Sequence, residues 1–111
     1  MPEGKEDAAN LVGQFQSYQQ QLQSILIQKE SLKLQEMEIE RALEELNSTS
    51  QKTAYKITGQ IMICKPVEEL KKDLGETKEN ISLRVQSLEK TEERVNNKLK
   101  ELQTKLKEVI K

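Results

Sequence analysis

The sequence predicts a mainly α fold: two long helices paired as an antiparallel two-stranded coiled coil and joined by one central β-hairpin. Three observations predict it. Two proline-free stretches each carry an apolar stripe at 3–4 spacing. Between them lies a short β-branched stretch of period two around a glycine. The composition, 34% apolar, 33% charged and only 3% aromatic, suits long helices better than a spherical core.

The first stretch, about residues 5–47, sets Ala8, Leu11, Phe15, Tyr18, Leu22, Ile25, Leu32, Ile39, Leu43 and Leu46 in one phase, interrupted by Lys29 and Glu36. An apolar repeat of 3.5 residues keeps one seam facing a partner helix. Asn47-Ser48-Thr49-Ser50 then breaks the pattern. The last stretch, about residues 66–110, repeats the device with Val67, Leu74, Ile81, Val85, Leu88, Val95, Leu99, Leu102, Leu106 and Val109. Lys71, Lys78 and Glu92 interrupt it. Pro66 suits a helix's first turn, where its missing N–H is not needed, and Glu68 and Glu69 complement the helix dipole there.

The middle stretch, about residues 53–65, changes period. Tyr55 and Ile57 alternate with Lys56 and Thr58; Ile61 and Ile63 alternate with Met62 and Cys64. Gly59 marks a turn expected near Thr58-Gly59. Folding the chain back about that point sets Leu46 opposite Lys71, Phe15 opposite Leu102 and Leu11 opposite Leu106. It also brings Met1 and Lys111 together at the far tip. In this register Lys29 lies near Glu92 and Glu36 near Lys78, two pairs of opposite sign inside the seam. Snorkelling outward and register control are both open to them.

A two-stranded seam and a lone hairpin are each marginal in water. The hairpin's edges and its Tyr55, Ile57, Ile61, Met62 and Ile63 need covering, so an oligomer held through the hairpin is expected. Near the free ends, Leu11, Val12, Phe15, Leu102, Leu106, Val109 and Ile110 form an apolar group. These residues either pack in the seam or, where terminal turns fray, grip apolar segments of other proteins. Val12 and Ile110 lie off the strict seam and are the leading candidates for gripping.

Other chemistries lack their residues. With no histidine, the common acid/base and metal ligand is missing, and the four glycines form no phosphate loop. No enzyme, metal or cofactor is expected. The 18 basic and 19 acidic residues balance, which disfavours nucleic acid. No long apolar run spans a membrane, and the polar N-terminus is not a signal peptide. The single Cys64, read as structural filler, fits a reducing cytoplasm. The whole chain, residues 1–111, reads as one domain.

Particular stretches resemble the prefoldin family, specifically the β-type subunits of archaea. They are Tyr18-Gln19-Gln20-Gln21-Leu22-Gln23 and Ala42-Leu43-Glu44-Glu45-Leu46 in the first helix, and Tyr55-Lys56, Gly59 and Ile61-Met62-Ile63 in the hairpin. Glu92-Glu93-Arg94-Val95 and Lys98-Leu99-Lys100-Glu101-Leu102-Gln103 continue the likeness in the second helix. Family α-type subunits are longer and carry two hairpins; this chain has room for one. It departs from the family at Cys64-Lys65-Pro66 and in lacking a flexible C-terminal tail. The resemblance implies a hexamer of two α-type and four β-type subunits whose hairpins form an oligomeric β-barrel platform. It implies an ATP-independent chaperone, or holdase, that binds unfolded proteins with its coiled-coil tips and passes them to a group II chaperonin. The competing reading is a structural coiled coil that bridges specific partners. A plain rod would need only a loop where this chain places strands.

Overall fold

The computed structural model describes the backbone from Pro2 to Ile110 and the side chains of residues 7–109. The expected meeting of Met1 with Lys111, and the side chain of Ile110, lie outside the described residues. The elements run α1 (Pro2–Ser48), β1 (Thr53–Thr58), β2 (Ile61–Pro66) and α2 (Val67–Ile110). The helices and the central hairpin are those the periodicities predict. The chain folds as two compact units, one built from residues up to Ser31 with those from Gln86 onward, the other from Leu32–Val85.

In the first unit Ile25, Val95 and Leu102 are buried. Leu11, Phe15, Tyr18, Leu22, Leu88, Leu99 and Leu106 are half-buried on the same stripes. Val109, expected in the seam, is exposed instead. Lys29 stays in the seam: its ammonium donates to Glu92 Oε1 at 2.7 Å, and the two side chains are only 17% and 23% exposed. The hydrogen bond to Glu92 holds the Lys29 ammonium above its usual 10.5. Partial desolvation opposes this, and the negative charges of Glu92 and Glu89 add to it.

In the second unit Leu32, Val67, Leu70, Ile81 and Val85 are buried. Leu70 was not among the expected seam residues. It turns inward where the strict phase points to Lys71, whose ammonium reaches Glu68 at 3.4 Å. Lys78 meets Glu40 at 3.4 Å and not Glu36, one helical turn away. Among the described residues no large side chain is sealed completely, as a two-helix seam requires.

The polar break after α1 supplies its own caps. Ser48 Oγ and the Thr49 N–H both donate to the Glu45 carbonyl, at 3.2 and 3.1 Å. The Gln51 N–H donates to Thr49 Oγ1 at 3.2 Å. These bonds satisfy groups that a helix end leaves open.

The strands pair antiparallel from Thr53 opposite Pro66 to Thr58 opposite Ile61. The turn is therefore Gly59-Gln60, one residue later than expected, and Lys56 faces Ile63 where the earlier turn would give Ile61. Gly59 has φ +61° while Gln60 has negative φ, the arrangement of a type II′ hairpin. Pro66 closes β2 and does not open α2. The Val67 N–H donates to the Lys52 carbonyl at 2.8 Å, extending the ladder by one pair. Hydrogen-bonded pairs alternate along an antiparallel ladder. Ala54–Lys65, Lys56–Ile63 and Thr58–Ile61 are thus the bonded pairs, and Pro66 falls at a position whose missing N–H breaks nothing.

Two outcomes test this packing. Gly59→Ala should cost about 1–2 kcal/mol, because an L side chain disfavours left-handed φ even with open space around it. Urea unfolding would register the loss, and an unchanged midpoint would contradict the turn assignment. A double-mutant cycle of Lys29→Met with Glu92→Gln should show favourable coupling at neutral pH. Because the folded-state pKa of Lys29 is raised, that coupling persists from neutral pH to 10.5 and disappears as pH climbs through the raised value. Absence of coupling at pH 7 would contradict the pairing.

Candidate functional site

The hairpin is the most exposed apolar surface of the second unit. Alternation along the strands puts Tyr55, Ile57, Met62 and Cys64 on one face and Ala54, Lys56, Ile61, Ile63 and Lys65 on the other. Tyr55 is 67% exposed, Ile57 71%, and Ile61 and Met62 63% each; Ile63 and Cys64 are also exposed. Cys64 is thus a surface group opposite Tyr55, not filler. Full burial of one such large side chain is worth about 1.5–3 kcal/mol, so two apolar faces left in water are a standing drive toward association.

The edges are open as well. Since the even-numbered β1 residues bond to β2, Tyr55 and Ile57 turn their N–H and C=O groups to the outer edge of β1. Met62 and Cys64 do the same along β2. Among the described residues the sheet has only these two strands. An edge of this kind accepts another strand. The chemistry available here is non-covalent: backbone pairing and apolar burial.

The other expected group lies in the first unit, near the helix termini. Leu11 and Val109 line a shallow groove of about 350 Å³ with Asn10, Gln14, Lys105 and Glu108. Phe15 and Leu106 are half-buried and Leu102 is buried in the seam. Val12 stands free of it, 43% exposed. The structure therefore divides the expected tip residues into seam members and a small accessible set.

Sequence periodicity did not single out some exposed apolar residues on the outer helix faces. In the first unit these are Leu26 and Ile27; in the second, Leu34, Met37 and Leu83. The off-phase Leu26-Ile27 doublet was the available signal. No described helix is long and apolar enough to cross a membrane.

Comparison with known proteins agrees with this geometry. A family model described as Prefoldin subunit matches residues 9–111. The prefoldin subunit beta of Archaeoglobus fulgidus is 35% identical over 102 residues, covering 91% of this chain and 88% of the relative. That of Thermococcus onnurineus is 33% identical, covering 91% and 88%. The crystal structure of the prefoldin beta subunit from Thermococcus strain KS-1 superimposes with a TM-score of 0.83 at 32% identity, covering 92% of this chain and 90% of that one. Two long helices, one central hairpin and a match over nearly the whole chain lead to one conclusion: the chain belongs to the prefoldin family, as a subunit of the beta type.

Proposed function

We propose that this chain is the β-type subunit of an ATP-independent holdase. Its hairpin joins a β-barrel platform shared with α-type subunits, two α-type and four β-type chains making the hexamer. The helix termini of its first unit hold non-native polypeptide, which is handed to a group II chaperonin in the cytoplasm. The observation that carries this reading is the hairpin, apolar on both faces and open on both edges, on a chain of prefoldin beta type. A scaffold rod would have no use for such a surface.

The tip assignment draws support from Val12, Leu11 and Val109, which offer apolar surface where helix ends have few neighbours. Ile110 belongs to the same proposal by position alone, and Phe15, Leu102 and Leu106 support the accessible residues from within the seam. Binding by such a group needs no nucleotide, because the apolar contact itself supplies the affinity.

The test is light scattering of a denatured client diluted into buffer. The protein would be purified with whatever co-assembles in its own cells, and no nucleotide would be added. Suppressed aggregation at near-stoichiometric ratio is expected. Val12→Asp should weaken that suppression several-fold while the mass of the assembly stays the same. Undiminished scattering from an intact assembly would overturn the holdase reading, and full activity of Val12→Asp would remove Val12 from the tip.

A further inference from the structure

The second unit carries large apolar side chains on the outer faces of both its helices. Leu34 is 57% exposed, Met37 50% and Leu83 57%. None of them belongs to the seam. Here the seam runs through Leu32, Glu36 and Ile39 on α1 and through Ile81 and Val85 on α2. Leu34 and Met37 lie on the far side of α1 from that seam, and Leu83 on the far side of α2.

We propose that these two outer faces are complementary, so that α1 of one copy packs against α2 of the neighbouring copy in the same assembly. The proposal rests on the reading that the hairpin is the assembly element. It adds a second, helical contact between copies, outside the hairpin and its strands.

Shape leads there first. Leu34, Met37, Glu38 and Arg41 stand at i, i+3, i+4 and i+7, the spacing of a hole in helix packing. All four are exposed, so the hole is open. Leu83 is an exposed apolar knob of the kind such a hole receives.

Charge agrees with shape. Arg41 closes the end of the hole nearer the hairpin. Glu79, one turn before Leu83, comes level with Arg41 when the two helices run antiparallel. Both are exposed, and neither forms an ion pair among the described residues. Still nearer the hairpin, the same alignment sets Glu44 against Glu76. That like-charge pair confines the contact to this one layer.

Height agrees as well. Within one chain Lys78 meets Glu40. Away from the hairpin, Met37 lies three residues past Glu40 and Leu83 five past Lys78. Hole and knob are thus level to within about 3 Å, and copies standing on one platform join them without slipping. Each copy gives its hole to one neighbour and its knob to the other, the head-to-tail pattern that closes a ring. One knob, one hole and one ion pair fall far short of the area a free dimer needs. The occupant is therefore a copy already held close by the platform, where effective concentration is high.

The experiment uses the assembly purified from its own cells, with two forms of the chain expressed together. One form has a photo-crosslinking amino acid in place of Leu83, and the other carries an affinity tag. The expected crosslink, recovered on the tag and located by mass spectrometry, falls within residues 34–41 of the tagged chain. Its yield should not change on dilution. Crosslinks confined to one chain or to a chain of another sequence, or a yield that falls on dilution, would overturn the contact. Arg41→Glu in the tagged form should lower the yield about fivefold, and Glu79→Arg in the other form should restore it. Failure to restore it would also overturn the contact. The mass of the assembly should stay the same in these variants, because the hairpins hold it. Ile57→Lys separates the two readings. If it dissolves the assembly while the parent assembly gives no crosslink, the hairpin reading stands and the helical contact falls. If the mass and the crosslink both survive it, the hairpin reading falls and the helical contact stands.

Discussion

A two-stranded antiparallel ladder has two faces and two edges, and in this chain the surroundings cover little of them. Ile57, Ile61, Met62 and Tyr55 lie more than half open to water on a sheet of only two strands. A hairpin of this size has too little buried area for independent stability. The strands between the helices make physical sense only if further strands are added. Membership of the prefoldin family, whose members are chaperone subunits, gives that need a destination.

The helices answer a different constraint. A seam between two helices cannot seal its side chains, so stability accumulates through many partly covered contacts instead of one dense core. Polar interruptions can then sit in the stripe without a large desolvation penalty. Lys29 and Glu92 meet there in a short, charge-assisted hydrogen bond. Lys78 and Glu40, both about 40–46% exposed, form a looser pair on the flank. The first pair is the better shielded from water, at 17% and 23% exposure; the second is largely screened.

Most of the fold was legible because it rests on period. The stripe at 3.5 residues located both helices, and the change to period two located the strands. Details depending on individual φ angles or on long side chains were not legible. A single glycine with positive φ fits the first or the second central position of a turn, and the pairing of Thr58 with Ile61 settled the turn as Gly59-Gln60. Leu70 and Lys71 compete for the seam at adjacent positions, and burial chose the leucine. Lys78 reaches Glu40 and not Glu36 because residues one turn apart share a face.

The candidate site divides along the same line. The hairpin residues were legible as apolar side chains with no interior to enter. At the tip, the off-seam position of Val12 was a usable signal, whereas Val109 reads as a seam residue and is exposed. Native-state hydrogen exchange of the assembled protein tests the central claim most directly. If the hairpin edges are paired with neighbouring strands, the outward amides of Tyr55, Ile57, Met62 and Cys64 will be as protected as those of the bonded pairs between β1 and β2. Fast exchange at these four amides, in an assembly whose β1–β2 amides are protected, would contradict it.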